Sequence, residues 1–312
     1  MILRIDKDFM AKFADNDIAD LCYYVAAYGH FFDTEADIKM SLVEKVGAYC
    51  GTNQRKVFKD AYFRCTRLTS EHRQFLTTID GKRYDYKTLK SILTSPGRLL
   101  CENMMYESPV YKNMIGAYKH DRDFGNMFIL LEKAKNNGWL RFANGGGYGG
   151  FKGYLEDMDK GEYKNIAKLK FCTLIDRDTD TGALPSNRKS LFTFLSEGKD
   201  DTTLQDTDIY TLGFRSYIWH IWYKRAIENY FPDRQYMRIG CNPSVVWNFP
   251  VADRNFKKAN TSGQGAFNKN KLSDLAEGMS RDDYEEGLQH FIVDGKDMSE
   301  LQLFLLKLVK II

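Results

Sequence analysis

The sequence has no uninterrupted apolar run of the length that a membrane span requires. A transmembrane helix needs about 18–20 uncharged apolar residues, and no stretch of the chain approaches that number. The first residues, MILRIDKDFM, also lack the basic-then-apolar order of a signal peptide. These two absences predict a cytoplasmic protein that does not interact with membranes.

Closely spaced cysteines and metal-type histidine pairs are also missing. The six cysteines are scattered without a close pair, a pattern that argues against a zinc site or a disulfide framework and favours reduced, mostly buried thiols. None of the five histidines has a nearby metal-ligand neighbour, and no Ser-His-Asp order is present, so a histidine-based hydrolase is not expected. His220, in YIWHIW, alternates with aromatic residues and is predicted to pack within a strand.

Net charge is small, at +3, so overall charge does not identify a nucleic-acid-binding protein. Its distribution along the chain is uneven, however. Residues 53–90 and 253–271 are rich in lysine and arginine, whereas residues 1–52 and 272–312 are acidic. Each basic stretch is either part of a binding surface or an ordinary solvated run of charges.

What the sequence does contain is enough apolar material for one large core or two modest ones, with 43% hydrophobic and 14% aromatic residues in a chain of 312. The turn Ser95-Pro96-Gly97 marks a boundary, and a loop-rich stretch follows Pro232. We therefore predict three regions: a mainly helical domain at 1–95, an α/β domain at 96–232, and a C-terminal extension of loops and helices at 233–312.

Short apolar strands alternate with helices in the second region, a pattern typical of a parallel sheet flanked by helices. The predicted strands are residues 98–101, 139–142 and 170–175. One helix is expected to begin with Ser108 as its N-cap and Pro109 at its first position, and another, FGNMFILLEKAK, to end at Asn137-Gly138.

The first region contains a helix, a short glycine-containing turn and a basic second helix at residues 43–65. This pattern is consistent with a helix-turn-helix, with residues 79–86 (IDGKRYDY) as a small wing, and equally with plain helical packing. The region is accordingly a candidate to contact nucleic acid or to dock onto a partner protein.

Chemically informative residues follow the predicted strands of the second region. Glu102 ends LLCE, Gly145, Gly146 and Gly147 follow a strand in LRFANGGGYGG, and Asp176 and Asp178 end KFCTLIDRDTD. Functional groups of open α/β sheets collect at the carboxyl ends of the strands. On an extended segment Asp176 and Asp178 would face the same ion, and an all-oxygen site suits Mg²⁺ or Mn²⁺ rather than zinc. The glycines would allow the backbone to approach a phosphate.

This order of residues resembles the Toprim fold shared by topoisomerases, bacterial primases, small RNA-maturation nucleases and OLD-family nucleases. The matching positions are Glu102, Gly145–Gly147 and Asp176/Asp178. The resemblance implies metal-dependent cleavage of phosphodiester bonds in DNA or RNA. In that reading Asp176 and Asp178 bind metal, and Glu102 is either a ligand or a general acid/base.

A second segment makes the resemblance more specific. WYKRAIENYFP, ending at Pro232, is similar to the R-x-IENY motif of Toprim-related proteins encoded beside ABC-type ATPases in bacterial defence loci, including the effector nuclease of the PARIS anti-phage system. An ATPase partner that restrains the nuclease is therefore implied. Many relatives have a second acid four residues after the glutamate, but Tyr106 stands there; Glu107, one residue later, is either a second-metal ligand or a carboxylate that favours a helix N-terminus.

Further site residues are expected around this centre. Glu228 is interpreted as a supplementary metal ligand or as the partner of Arg225, with a buried structural ion pair as the alternative. Arg188 and Lys189 would contact phosphates or form a solvated first helical turn. The other functions considered are a non-catalytic metal-binding or regulatory subunit of an ATPase complex, and a Toprim enzyme of primer synthesis or strand passage.

The C-terminal segment SELQLFLLKLVKII is predicted to be a helix with an unusually wide apolar face. Leu301, Phe304, Leu305 and Leu308 share one side, and Leu303 and Leu306 widen it. Two interpretations remain open: burial against the domain core, or a seam for self-association or for a partner.

Overall fold

The computed structural model describes residues 1–66 and 70–312, except for the side chains of residues 64, 66 and 71. The chain is an α/β protein with one three-stranded and one four-stranded parallel sheet, both flanked by helices, and a separate two-stranded hairpin. Part of the basic stretch at 53–90, residues 67–69, lies outside the described residues. Within residues 1–66 and 70–312, no helix combines the length and apolarity needed to cross a membrane.

The N-terminal region is built on a parallel sheet of order β2-β1-β3. Its strands are β1 Ile2–Ile5, β2 Phe31–Thr34 and β3 Thr78–Asp80. Its helices are α1 Lys7–Lys12, α2 Asp15–Ala27, α3 Ala36–Tyr49, α4 Thr52–Thr66, α5 Ser70–Arg73 and α6 Tyr86–Thr94.

The sequence pattern missed this sheet, because three strands of three or four residues are too short to show a periodicity. The two helices predicted in this stretch are present as α3 and α4, joined through Cys50 and Gly51, and the helix-turn-helix motif itself stays a prediction. The predicted wing was wrong. Ile79 and Asp80 lie in β3 and pair in parallel with Leu3 and Arg4, whereas a wing is an antiparallel hairpin.

The second sheet confirms the predicted parallel strands and adds a fourth. Its strands are β4 Gly97–Cys101, β5 Leu140–Asn144, β6 Phe171–Ile175 and β7 Ile218–Ile221, in the order β5-β4-β6-β7. The accompanying helices are α7 Met104–Tyr118, α8 Gly125–Asn136, α9 Tyr148–Lys160, α10 Ala167–Lys170, α11 Lys189–Leu195 and α12 Asp206–Ile209. As predicted, α8 is followed by Asn137 and by Gly138, which has a positive φ of 73°.

The start of α7 differs from the prediction. The helix begins at Met104, so that Ser108 is not its N-cap and Pro109 lies inside it. The carboxylate of Glu107 accepts a hydrogen bond from the main-chain N–H of Asn103 at 3.0 Å, and this bond closes the first turn. A helix start can be capped from within the turn in this way, which the Ser-Pro pattern did not reveal.

The C-terminal region consists of short elements followed by one long helix. Its helices are α13 Asp233–Arg238, α14 Pro243–Trp247, α15 Leu272–Ala276, α16 Arg281–Glu285 and α17 Glu300–Ile311, and its hairpin strands are β8 His290–Val293 and β9 Lys296–Ser299. Short 3₁₀ segments occur at Gly81–Arg83, Ser186–Arg188, Ile227–Tyr230, Val251–Phe256 and Lys269–Lys271.

Helix α17 lies in the core of the molecule. It packs against α8 and against β4, β6 and β7, and its residues are buried except Lys310. A Cβ atom on Gly97 would lie 2.6 Å from the carbonyl oxygen of Ile311, so β4 approaches the helix as closely as a glycine permits. The hydroxyl of Thr77, just before β3, donates to the carbonyl of Lys310 at 2.7 Å. The wide apolar face is therefore explained by burial, and it is not an exposed docking seam.

Candidate metal centre

Two of the predicted site residues meet where the second sheet changes direction. From β4 the chain adds β5 on one side and β6 on the other, and the crevice outside the carboxyl ends at such a switch point is the usual ligand site of open α/β sheets. Glu102 follows β4 and Asp176 follows β6. We use the name acidic cluster for the carboxylates gathered here: Glu102, Glu107, Asp176, Asp178 and Glu228.

Glu102 is held by the guanidinium group of Arg188. Its Oε1 atom lies 3.2 Å from Nη1 of Arg188, and its side chain is 20% exposed. Burial is the main cause that raises the pKa of Glu102, and the negative charge of Asp178 adds to it, whereas Arg188 opposes the rise. Glu102 therefore stands at the mouth of the cluster with a proton affinity above that of an ordinary glutamate.

Asp176 is the member of the cluster with the least compensation. Among the described side chains, no hydrogen bond or ion pair reaches its carboxylate; Arg188 donates to its main-chain carbonyl, and its main-chain N–H donates to Glu102. Burial first, and then the charges of Glu107 and Glu102, hold the pKa of Asp176 well above its usual range. Such a carboxylate needs either a proton or a cation.

Asp178 is positioned in the cluster by a backbone conformation that differs from the prediction. Strand β6 ends at Ile175, and Asp178 has a φ of 54°, in the left-handed region, so alternation along an extended segment does not apply. The prediction of an extended Asp176–Asp178 segment was wrong. Asp178 is positioned instead by its contacts: Oδ2 accepts from Nη2 of Arg188 at 2.9 Å, and its N–H donates to the carbonyl of Arg225 at 3.0 Å.

Glu107 lies in the buried wall of the cluster. Its Oε1 atom caps α7, and its Oε2 atom accepts a hydrogen bond from the hydroxyl of Tyr111 at 3.0 Å. Burial raises the pKa of Glu107 to about 7, with contributions from Glu102 and Glu228. Glu107 thus holds the helix start from within the cluster, and its role as a second-metal ligand stays a prediction.

Glu228 enters the cluster from the 3₁₀ segment formed by IENY. Its side chain is 7% exposed, and Oε1 lies 3.0 Å from Nζ of Lys269. Burial alone would lower the pKa of Lys269, but the charges of Glu228, Asp176 and Asp178 raise it above its ordinary value. Lys269 therefore faces the acidic cluster. The basic stretch at 253–271 was visible in the sequence, but the sequence did not show which of its side chains points toward the acidic cluster.

The remaining IENY residues hold the surrounding loops. The amide of Asn229 donates to the carbonyls of Arg254 and Lys257, and the hydroxyl of Tyr230 donates to Glu300 at the start of α17 at 2.6 Å. His220 is fully buried in β7, as predicted for a packed strand residue, and its ring nitrogens lie 3.3 Å from Glu300 and 3.0 Å from Lys307. The motif therefore connects the cluster to the core helix.

The charge balance of the acidic cluster leaves room for a divalent cation. Five carboxylates are faced by Arg188, Lys269 and Arg225, the last of which is shared with Asp180, so that an excess of at least two negative charges remains when all are ionised. Oε2 of Glu228 is buried without a hydrogen-bond partner among the described residues, and Oε1 of Glu102 has only its ion pair with Arg188. The donor set is all oxygen, so the residues present fit Mg²⁺ or Mn²⁺.

The side chains are not already arranged around such an ion. Across the part of the chain that the structure describes, no three His, Cys, Asp or Glu side chains form a ready-made metal site. The guanidinium group of Arg188 instead bridges Glu102 and Asp178 and stacks 4.4 Å from the ring of Tyr148. Metal binding would require these carboxylates to turn away from their basic partners.

The glycine run lies beside the cluster, and glycine is required at its positions for different structural reasons. The N–H of Gly145 donates to the carbonyl of Cys101 at 3.0 Å, and a Cβ at this position would lie 2.0 Å from the ring of Phe151. Gly145 is therefore required by local packing. Gly146 and Gly147 have φ values of 68° and 78° and open space around them, and Gly147 is the N-cap of α9. These two remain the candidates for backbone contact with phosphate.

The predicted phosphate-binding cations fall into different environments. Arg188 is 2% exposed and neutralises carboxylates, so it is not part of a solvated helical turn. Lys189 is exposed and pairs with Asp200 at 2.8 Å, away from the cluster. Arg225 pairs with Asp180 at 2.5 Å and lies 3.8 Å from Asp178. The structure thus brings Arg188 and Arg225 to the cluster and leaves Lys189 outside it.

Comparisons of this chain with protein-family models, with curated proteins and with solved structures found no match.

Proposed function

We propose that the chain is a Mg²⁺- or Mn²⁺-dependent nuclease of the Toprim type, with the acidic cluster as its catalytic centre. The main support is the under-compensated negative charge at the switch point of the second sheet, above all the unpaired carboxylate of Asp176. Carboxylates whose pKa is raised by desolvation and by neighbouring negative charges are typical of functional sites. The positions of Glu102, the glycine run and the aspartate pair at successive strand ends support the Toprim assignment.

Four of the five cluster carboxylates take part directly in this proposal, and Glu107 holds the start of α7 beside them. Asp176, Asp178 and Glu228 hold the ion, which when bound polarises phosphoryl oxygens and lowers the pKa of a coordinated water. Glu102, partly exposed and with a raised pKa, is placed to hold the ion or to transfer a proton at the scissile phosphate. Arg225, Gly146 and Gly147 line the approach on which the nucleic-acid backbone would lie.

A structural ion-pair network is the second candidate function of the cluster. The pairing of Arg188 with Glu102 and Asp178 favours it, because buried ion pairs of this kind also occur without catalysis. In this alternative the chain is a non-catalytic subunit, and divalent cations have no effect on it.

An anti-phage role beside an ABC-type ATPase, with DNA or RNA as the substrate, belongs to the same proposal and rests on the IENY segment. Incubation of the purified protein with plasmid, single-stranded DNA and tRNA in Mg²⁺ would identify the substrate class, with Glu102→Ala as the control. Cleavage by the wild type that is lost with chelator and in the variant supports the nuclease. If the protein cuts nothing alone, the panel is repeated with an ABC-type ATPase from the same locus, where one is found; continued inactivity there would favour the non-catalytic subunit.

A further inference from the structure

A cavity of about 320 Å³ opens in the N-terminal region, far in sequence from the acidic cluster. It lies at the carboxyl end of β2, between α3 and α4, and we call it the N-terminal cavity. Its described walls are mostly apolar and aromatic: Phe32, Leu42, Phe58 and Tyr62. Its volume is at the lower end of the roughly 300–1,000 Å³ that is usual for small-molecule sites.

The aromatic walls come from two elements, β2 and α4, and their rings contact one another. Phe32 of β2 and Phe58 of α4 meet edge to face, with ring centroids 5.6 Å apart, and Tyr62 follows one turn later on α4. Phe32, Leu42 and Phe58 are each at most 6% exposed. Apolar side chains that are themselves buried normally fill the space between them, because protein interiors are close-packed. An open space of this size in such a setting indicates room for a flat apolar group.

Polar groups that line the N-terminal cavity indicate the charge of a ligand that would bind there. Lys39 of α3 lines the cavity and has no ion-pair partner in the described ranges. Arg73 of α5 also lines it and shares Asp33 with Arg4, at 2.7 Å and 3.4 Å respectively. Oγ1 of Thr34 is buried without a hydrogen-bond partner among the described residues. Two cations and a free hydroxyl suit an anionic group.

We propose that the N-terminal cavity binds a small planar aromatic anion, of the size and chemistry of a nucleoside monophosphate or an aromatic carboxylate. Its ring packs against the side chains of Phe32, Phe58 and Tyr62, and its anionic group is held by Lys39 and Arg73. This site is independent of the acidic cluster and of the nuclease proposal, and it gives the N-terminal region a ligand-binding role.

Cys65 provides a direct probe of occupancy. It lines the cavity and is partly exposed, whereas the other five cysteines are buried. The rate of its alkylation by iodoacetamide, followed by peptide mass spectrometry, is measured with AMP, GMP, CMP, indole-3-acetate and inorganic phosphate, and thermal unfolding is recorded in parallel. At least one ring-bearing anion is expected to slow alkylation and raise the unfolding temperature, whereas phosphate alone does neither. Protection by nucleotides, by indole-3-acetate or by both distinguishes the two sources of the ligand.

Two variants test whether binding depends on the cavity. Lys39→Gln is expected to lower the affinity of the cavity for the protecting anion by about tenfold or more, because a charge-assisted hydrogen bond is lost. Lys56→Gln, at an exposed position of α4 outside the cavity, is the matched control. Leu42→Trp, checked for folding by circular dichroism, should fill the space and abolish protection. The proposal is overturned if no ring-bearing anion protects Cys65 or stabilises the protein, if phosphate alone acts equally, or if Lys39→Gln leaves the affinity unchanged.

Discussion

Nζ of Lys269 lies 3.0 Å from Oε1 of Glu228, and this contact joins the C-terminal region to the acidic cluster. The lysine also faces Asp176 and Asp178, whose charges contribute to its raised pKa. A lysine in this position supplies part of the positive charge that a divalent cation would otherwise provide. Lys269 and a bound metal ion are therefore expected to compete for Glu228.

Replacing this lysine should make metal binding easier. In Lys269→Gln, the Mg²⁺ concentration that gives half of the maximal thermal stabilisation is expected to fall at least about threefold, because one competing positive charge is removed. The unfolding temperature in chelator should fall at the same time. Lys271→Gln, an exposed lysine of the same 3₁₀ segment, is the matched control and should behave like the wild type. An unchanged or higher Mg²⁺ requirement in Lys269→Gln would show that the two cations do not compete.

Stability without metal should depend on pH through Glu107. Its folded-state pKa is raised from 4.5 to about 7, so the stability that its protonation provides is present below pH 4.5 and is lost as pH rises through about 7. Glu107→Gln removes this dependence. In chelator, the difference in unfolding free energy between the variant and the wild type should shift in favour of the variant by up to roughly 3 kcal/mol between pH 4.5 and pH 8.

Chemical denaturation of both proteins across this pH range measures the difference directly. Comparing variant with wild type removes the contributions of buried groups that are not coupled to Glu107, such as Lys307, whose pKa burial lowers to about 7. A difference that stays constant with pH would mean that Glu107 keeps an ordinary pKa in the folded protein.

The buried position of α17 predicts a large cost for shortening its side chains. Leu305 is fully buried in this helix, so Leu305→Ala should lower the unfolding free energy by about 2–5 kcal/mol through lost burial and the cavity that remains. Ile292→Ala, at a position of β8 that is 74% exposed, should have little effect. Equal, small effects of both changes, together with lost self-association in Leu305→Ala, would instead indicate a seam.

The parts of the fold that followed from the sequence are those with strong local signals. Strands β4, β5 and β6 are five-residue segments, mostly apolar, that lie between clear helix patterns. The Asn137-Gly138 pair is a typical helix terminator. The three short strands of the N-terminal sheet carry too little pattern to be separated from loops. The width of the apolar face on α17 was visible, but its meaning depends on β4 and on Thr77, which lie far away in the sequence.

The candidate site, too, was predictable from the sequence only in part. Glu102, Asp176 and Asp178 are recognisable because they follow strands, whose carboxyl ends meet at one edge of a parallel sheet. Arg188 and Lys269 point toward the acidic cluster because of tertiary contacts, Arg188 with Tyr148 and Lys269 with Glu228. No local sequence pattern distinguishes these two residues from solvated basic residues. The left-handed backbone at Asp178 is likewise a product of its contacts with Arg188 and Arg225.

The most direct measurement of the central claim is the thermal unfolding temperature of the wild type and of Asp176→Asn as a function of Mg²⁺ concentration. Asp176→Asn removes the least compensated charge of the acidic cluster, so in chelator the variant should unfold at a higher temperature than the wild type. Added Mg²⁺ should raise the unfolding temperature of the wild type in a saturable manner and leave that of the variant unchanged. A wild type that does not respond to Mg²⁺ or Mn²⁺, or a variant that responds equally, would contradict a metal centre at the acidic cluster.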